Sequence, residues 1–310
     1  MLMPSRQNKV YRTLLLIGVI TVTGACSDLH YERGRRALDQ GNPQAAYAIW
    51  YRLAQFEDSR AQNEVGWLLE RGLGVEQDLP AAAEWYRKSA VQGNATAQNN
   101  LGLLYLEGRG VLADPVLAYQ SFEQAAAQKH LDAINNLGVM LEQGRGVPEN
   151  DMEAARYFRQ AAERGNSKAQ NNLGLLYLRG DGVTMDLAQA QKWLEKAAAQ
   201  NNPEALNNLG VMMQQGLGMP PDTPGALALF ERAARGGDTT GALNAARLLE
   251  KGSGVEADLV RAYAWANIAA SSGNNIAISR KNEIERQLTP VQRNRGQTLS
   301  AELRTDPRGQ

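Results

Sequence analysis

Side chains that can act as nucleophiles, general bases or soft metal ligands are scarce in this sequence. Its one cysteine is Cys26, and its two histidines are His30 and His130. A zinc or copper centre needs several such residues at fixed spacings, and an intramolecular disulfide needs a second cysteine. Neither histidine belongs to a recognisable nucleophile motif, which acid–base catalysis would require. We therefore predict that the protein is not an enzyme and that it uses no metal and no cofactor.

Glycine pairs of the form Gly-x-Gly are another motif with a chemical use, because such loops cradle phosphates when they follow a strand. Here the pairs recur every 36 residues and follow helical patterns, which is typical of glycines that end helices with a positive φ. They therefore predict turns and not a nucleotide site. The pairs are Gly72 and Gly74, Gly108 and Gly110, Gly144 and Gly146, Gly180 and Gly182, Gly216 and Gly218, and Gly252 and Gly254.

Alanine and asparagine positions repeat with the same period of 36 residues. Within one period, Ala97, Leu101 and Leu104 share one helical face, and Asp114 before Pro115 is typical of the start of a second helix. One pair of helices cannot bury its own apolar face, so neighbouring pairs must stack. We predict an all-α fold, a right-handed α/α superhelical solenoid of two-helix repeats.

Two stretches of the sequence resemble the Sel-one-like repeat, a relative of the tetratricopeptide repeat. They are NNLGLLYLEGRGV at 99–111 and NNLGLLYLRGDGV at 171–183. The resemblance covers six repeats over residues 61–276. It implies a non-catalytic scaffold or adaptor that binds protein partners.

The N-terminal residues 1–25 have the pattern of a secretory signal peptide. Arg6, Lys9 and Arg12 precede a short apolar run, and three small residues lie directly before Cys26. The apolar run is too short to cross a bilayer as a helix. The junction resembles a bacterial lipobox, which implies cleavage before Cys26 and acylation of its thiol. The alternative is an ordinary signal peptide with an incidental cysteine.

The residue after the cysteine bears on the destination of such a lipoprotein. Ser27 matches the lipoproteins that are sent to the outer membrane, whereas an aspartate at that position implies retention in the inner membrane. We predict a lipid-anchored protein on the periplasmic side of the bacterial outer membrane. A soluble periplasmic protein and an inner-membrane lipoprotein are the alternatives.

Shorter segments flank the repeats. We expect a lipidated tether at 26–30, an N-terminal capping hairpin that resembles a tetratricopeptide unit at 31–60, two C-terminal capping helices at 277–304, and a tail at 305–310. Polar residues dominate the last of these helices, as the outer cap of a solenoid requires.

Tandem asparagines recur on the first helix of the repeats. In the tetratricopeptide proteins, which these repeats resemble, this side of the helix lines a concave groove. An amide can donate and accept hydrogen bonds at once, so a ladder of amides suits an extended peptide backbone. We predict that the partner is bound by Trp67, Asn99, Asn100, Leu103, Asn135, Asn136, Val139, Asn171, Asn172, Leu175, Asn207 and Asn208.

Each of these residues also has a packing interpretation. The asparagines can bond between neighbouring helices and organise the stack, and one ladder can serve each role. Trp67 is either an anchor for the partner or a packing residue against the N-terminal hairpin.

The charge balance helps to choose among functions. The chain has 33 basic and 33 acidic residues, which argues against nucleic acid as a partner. We predict a periplasmic scaffold that holds a protein or an extended peptide in its groove. The alternatives are an assembly factor that uses its convex face and a hydrolase that acts on peptidoglycan or β-lactams.

Overall fold

The computed structural model describes residues 27–305, which contain sixteen helices and no strand. The predicted signal peptide, Cys26 with its predicted lipid, and residues 306–310 lie outside the described residues. None of the helices in the described range is long and apolar enough to cross a membrane.

Contacts divide the chain into two compact units, Met1–Glu149 and Asn150–Gln310. The first unit contains α1 (27–39), α2 (Pro43–Gln55), α3 (Ser59–Arg71), α4 (Leu79–Val91), α5 (Ala95–Glu107), α6 (Pro115–Ala127) and α7 (Leu131–Glu142). The second contains α8 (Asp151–Ala162), α9 (Ser167–Arg179), α10 (Leu187–Ala199), α11 (Pro203–Gln215), α12 (Thr223–Arg235), α13 (Thr239–Lys251), α14 (Leu259–Ala270), α15 (Asn275–Glu285) and α16 (Pro290–Thr305).

Within each unit, from α2 onward, consecutive helices pack against each other, except that the last helix, α16, packs against α14. In the second unit, helices two apart also touch, as α11 does α13 and α12 does α14. Every repeat thus packs against its neighbour inside a unit. The predicted all-α fold of stacked two-helix repeats is confirmed.

Polar N-caps begin the helices of the repeats. The side chain of each cap residue accepts a hydrogen bond from a backbone N–H two or three residues further on, and each such cap stabilises its helix by about 1 kcal/mol. The caps of the first helices are Asp58, Asn94, His130, Asn166, Asn202 and Asp238. Those of the second helices are Asp78, Asp114, Asn150, Asp186, Asp222 and Asp258.

His130 differs from the other caps because it can titrate near neutral pH. Its Nδ1 accepts from the Ala133 N–H at 3.3 Å, and burial lowers its pKa below the ordinary 6.5 while nearby Asp132 opposes that shift. Since the protonated ring cannot accept this bond, the stability from this cap is complete above about pH 6.5 and is lost as the pH falls below it.

We expect His130→Asn, which installs the cap found at Asn94 and Asn166, to remove this part of the pH dependence. Chemical denaturation at about pH 5 should show the variant to be more stable than the wild type by up to about 1 kcal/mol, with little difference at about pH 8. A wild-type stability that is the same at both pH values, with no gain in the variant, would contradict this role for His130.

The two glycines of each pair have different structural roles. Gly108 ends α5 with φ of 69°, and its N–H bonds to Leu104 O. Gly110, with φ of 70°, lies against the start of the second helix of the preceding repeat, where a Cβ atom would collide with the backbone of Leu79 and Pro80. The predicted turns are confirmed, and the second glycine is also a point of close approach between repeats.

A large buried side chain recurs at the 36-residue period on the second helix of the N-terminal hairpin and of the first five repeats, and a glycine of the first helix lies opposite several of these side chains. A Cβ on Gly102 would lie 2.6 Å from the ring of Phe122, and one on Gly210 would lie 2.7 Å from the ring of Phe230. The glycines therefore let the two helix backbones approach closely. The large residues of this register are Trp50, Tyr86, Phe122, Phe158, Leu194 and Phe230.

The first described helix includes residues that we expected to lie in the tether. Residues 27–30, expected to be part of a tether, form the first turn of α1. Ser27 Oγ donates to Asp58 Oδ2 at 2.5 Å, and Asp28 pairs with Arg60 at 2.7 Å. These contacts hold the start of α1 against the start of α3.

Candidate partner-binding site

The two asparagines of each repeat differ in burial. The first is buried, with 6% of Asn99 and 3% of Asn171 exposed, whereas the second is half-buried. The buried positions are Asn63, Asn99, Asn135, Asn171 and Asn207, and the half-buried ones are Asn100, Asn136, Asn172, Asn208 and Asn244. A partner could therefore reach the second register more readily than the first.

Hydrogen bonds link the two registers between repeats. The half-buried asparagine of one repeat donates from Nδ2 to Oδ1 of the buried asparagine in the preceding repeat. Bonds of this kind join Asn100 to Asn63 (3.3 Å), Asn136 to Asn99 (3.0 Å), Asn208 to Asn171 (2.9 Å) and Asn244 to Asn207 (2.8 Å). The asparagines thus bond between neighbouring first helices, which is the packing role that the sequence offered as an alternative to partner binding. Partner binding by the same residues stays a prediction, since the bond uses one of the two N–H donors of the half-buried amide.

Glutamines form a second ladder, which sequence analysis missed. Gln98 Nε2 donates to Ala90 O at 3.1 Å, and Gln98 Oε1 accepts from Gln128 Nε2 at 2.8 Å. Equivalent bonds join Gln62 to Gln92 and Gln170 to Gln200. The spacing of these residues was visible in the sequence, but the two members of a pair lie on different helices, so the period alone could not pair them.

We use the name asparagine strip for the half-buried side chains of the first helices that flank the asparagine ladder. Asn100 and Leu103 are three residues apart on α5 and lie on the same side of it. In the first unit the strip consists of Trp67, Asn100, Leu103, Asn136 and Val139, and in the second unit of Asn172, Leu175, Asn208, Val211 and Asn244. The second, third, fourth and fifth repeats thus each contribute one amide and one aliphatic side chain.

Trp67 lies at the start of the asparagine strip. It makes the contacts with the N-terminal hairpin that are expected if it is a packing residue. Its half-buried ring packs against the apolar cluster of the first hairpin, which contains Trp50, and against the cluster of the next repeat, which contains Tyr86. The guanidinium carbon of Arg71 lies 5.2 Å from the centre of the Trp67 ring. Its role as an anchor for a partner stays a prediction.

Glu64 occupies the place of the half-buried asparagine next to Trp67. Its Oε1 accepts from the Tyr31 hydroxyl at 3.2 Å and from Asn63 Nδ2 at 3.3 Å. Burial raises the pKa of Glu64, and burial together with the Glu64 charge raises that of Tyr31. A carboxyl group therefore joins the first hairpin to the start of the asparagine ladder.

Groups that could hold a metal ion do not assemble in the part of the chain that the structure describes. No three histidine, cysteine, aspartate or glutamate side chains there are placed to hold one. His130 caps α7, and His30 is exposed on α1.

Comparison with known families identifies the repeat. The model of the Sel1 repeat matches residues 59–94, 95–130, 131–166, 167–202, 203–238 and 240–274. The chain belongs to the Sel1 repeat family. The predicted resemblance is confirmed, and the matched repeats begin two residues before the predicted start at 61. Sel1 repeat proteins are generally non-catalytic scaffolds that mediate protein–protein interactions.

Solved structures share the Sel1 repeat fold. A Sel1 repeat protein from Oxalobacter formigenes is 30% identical, with 77% of this chain and 96% of that chain covered and a TM-score of 0.71. The protective antigen c5321 of uropathogenic Escherichia coli strains is 22% identical (91% and 84% covered, TM-score 0.50). The immunity protein Pa5087 of Pseudomonas aeruginosa is 19% identical (69% and 81% covered, TM-score 0.52). The last two show the fold alone. Among curated proteins, none matched the chain.

The inter-repeat bond of Asn136 makes a measurable contribution to the Sel1 repeat stack. We expect Asn136→Ala to lower the free energy of unfolding by about 1–3 kcal/mol, because it leaves the buried Asn99 carbonyl without this donor. Chemical denaturation measures the change. The control is Gln120→Ala, at an exposed position of α6, which should stay within about 0.5 kcal/mol of the wild type. Equal stability of the two variants would contradict the packing role.

Proposed function

We propose that this protein is a lipid-anchored scaffold of the bacterial periplasm that holds an extended segment of a partner protein along its asparagine strip. The observation that carries the proposal is the repetition of one half-buried amide and one aliphatic side chain on successive first helices. The amides can pair with a peptide backbone, and the aliphatic side chains can contact its side chains. Membership of a family that mediates protein–protein interactions supports it.

The lipid anchor is a separate part of the proposal and rests on the sequence around Cys26. We expect acylation of Cys26 to place the protein on the periplasmic side of the outer membrane. Intact-mass measurement of the protein purified from membranes tests this: the mature chain should begin at Cys26 and carry acyl chains, and Cys26→Ala should leave the membrane fraction. An unmodified cysteine would contradict the lipid anchor but would not contradict partner binding along the asparagine strip.

Site-specific photo-crosslinking tests the asparagine strip. A photoreactive amino acid at Val139, which lies on the strip, should give a crosslinked partner in cells. The matched control is Glu123, an exposed residue on the second-helix side of the same unit. Products from Val139 alone support the proposal. Products from Glu123 alone would overturn it and favour the assembly factor that uses its outer face.

Competition adds a second readout. If the crosslinked partner binds as an extended segment, a synthetic peptide that covers the crosslinked region should abolish the product at Val139. Binding that requires the folded partner and ignores the peptide would contradict the extended-segment mode.

A further inference from the structure

One side of the first hairpin is apolar where a solenoid end is expected to be polar. Side chains of α2 spaced three or four residues apart line a cavity of about 820 Å³ beside α1. We call this surface the end face. Its apolar residues are Ala45, Ala48, Ile49, Leu53 and Phe56. Phe56 is 85% exposed.

The repeat register shows what is unusual about the end face. Ala45 and Ile49 occupy the positions that Ala81 and Trp85 hold in the next hairpin. There, both side chains pack against the apolar cluster that contains Trp50 of the preceding hairpin, and the centre of the Trp85 ring lies 5.7 Å from that of Tyr51, so both positions face the preceding helix pair. In the described part of the chain no helix pair precedes α1 and α2. Terminal repeats of solenoids normally present a polar outer side, and an apolar one indicates a surface that is covered by another body.

The position of Cys26 indicates which body covers it. Ser27 lines the cavity and is held there by its bond to Asp58. Because Cys26 is bonded directly to Ser27, the two Cα atoms are about 3.8 Å apart. A lipid on Cys26 would therefore enter a bilayer at the edge of the end face, without a flexible stalk between them.

The charges beside the end face are complementary to anionic headgroups. Arg33 of α1 and Arg52 of α2 line the cavity and are exposed. Asp58, an acidic residue of the lining, is already paired with Arg60 at 2.9 Å. Basic residues beside an apolar helix side are typical of surfaces that lie on anionic membranes.

We propose that the end face docks on an anionic phospholipid bilayer, with Phe56 and Ile49 in the interfacial layer and Arg33 and Arg52 at the headgroups. The proposal rests on the lipid anchor proposed above, which brings the end face to the membrane. It fixes the orientation of the first hairpin relative to the bilayer, which a lipid on Cys26 alone would leave free.

A fluorescent label at position 56 tests the docking. Cys26 is the only native cysteine, and acylation blocks its thiol, so Phe56→Cys in the acylated protein can be labelled selectively with an environment-sensitive dye. The protein is reconstituted in vesicles of phosphatidylethanolamine and phosphatidylglycerol. The matched control is Glu123→Cys, also at an exposed position of the first unit. We expect a blue-shifted emission that is quenched by spin-labelled lipids at position 56, and neither effect at position 123.

The outcomes separate the two proposals. Intact-mass measurement establishes whether Cys26 is acylated before the dye is attached, and an unmodified Cys26 overturns the lipid anchor. In that case the docking is tested by the emission of the label at position 56 in Cys26→Ser protein, with vesicles added. Acylated protein whose label at 56 is not quenched overturns the docking and leaves the anchor standing. A blue shift at 56 without vesicles would assign the end face to a second copy of the chain and overturn the proposal.

The two arginines have a test of their own in the same system. Arg33→Gln with Arg52→Gln should weaken vesicle association of the unacylated Cys26→Ser protein roughly tenfold or more when phosphatidylglycerol is present. Equal association with and without the two arginines would overturn their part in the docking.

Discussion

Phe122→Ala is expected to lower the free energy of unfolding by about 3–5 kcal/mol, because it empties the space of a fully buried ring between two helices. Chemical denaturation measures the loss, and hydrogen exchange in α5 and α6 locates it. The control is Phe56→Ala, the same substitution at a residue that is 85% exposed, which should change stability by less than about 0.5 kcal/mol.

The glycine opposite Phe122 sharpens this prediction. Gly102→Ala alone should cost about 1–3 kcal/mol, since its Cβ would lie 2.6 Å from the Phe122 ring. The sixth repeat shows how the pair can change together: Ala246 stands in the glycine register and Ala266 in the ring register, and both are fully buried. We therefore expect the double variant Gly102→Ala with Phe122→Ala to be no less stable than Phe122→Ala alone. Strictly additive losses would show that the two positions are not coupled.

Gly110→Ala is expected to lower the free energy of unfolding by about 3 kcal/mol. A left-handed conformation costs a non-glycine residue about 1–2 kcal/mol, and the collision with the backbone of Leu79 and Pro80 adds to that cost because the backbone cannot move aside cheaply. Thermal and chemical denaturation measure the change, and hydrogen exchange at the start of α4 should show local opening.

Gly93→Ala is the control for the conformational part of this cost. Gly93 also has a positive φ, 87°, but no atom lies within 4 Å of the position that its Cβ would occupy. We expect a loss of about 1–2 kcal/mol there. If Gly110→Ala and Gly93→Ala lowered the free energy of unfolding equally, the close approach of Gly110 to the preceding repeat would make no contribution to that free energy.

These contacts bear on function because they hold neighbouring repeats in one arrangement. Partner binding costs less free energy when the binding residues are already ordered. The asparagine ladder and the bond from Gln98 to the Ala90 carbonyl lie between repeats, so a variant such as Asn136→Ala can weaken partner binding through stacking as well as through direct contact. Crosslinking at Val139, which leaves the ladders intact, separates direct contact from that indirect effect.

Sequence alone determined the local structure of this protein. The 36-residue period, the caps such as Asp114 and the helix-ending glycines such as Gly108 were readable because each depends on the backbone of a few neighbouring residues. The stacking of repeats followed from the same pattern, since one helix pair cannot bury its own apolar side.

The residues that contact each other across repeats could be identified only from the tertiary structure. Asn99 and Asn100 are adjacent in sequence and equal in type, yet one is buried as an acceptor and the other is half-buried as a donor, because the rotation between neighbouring helices sets which side of α5 faces α7. The same rotation brings Gln98 against the Ala90 carbonyl and Gly110 against Leu79. Such pairings depend on the relative placement of helices, which a periodic sequence repeats but does not specify.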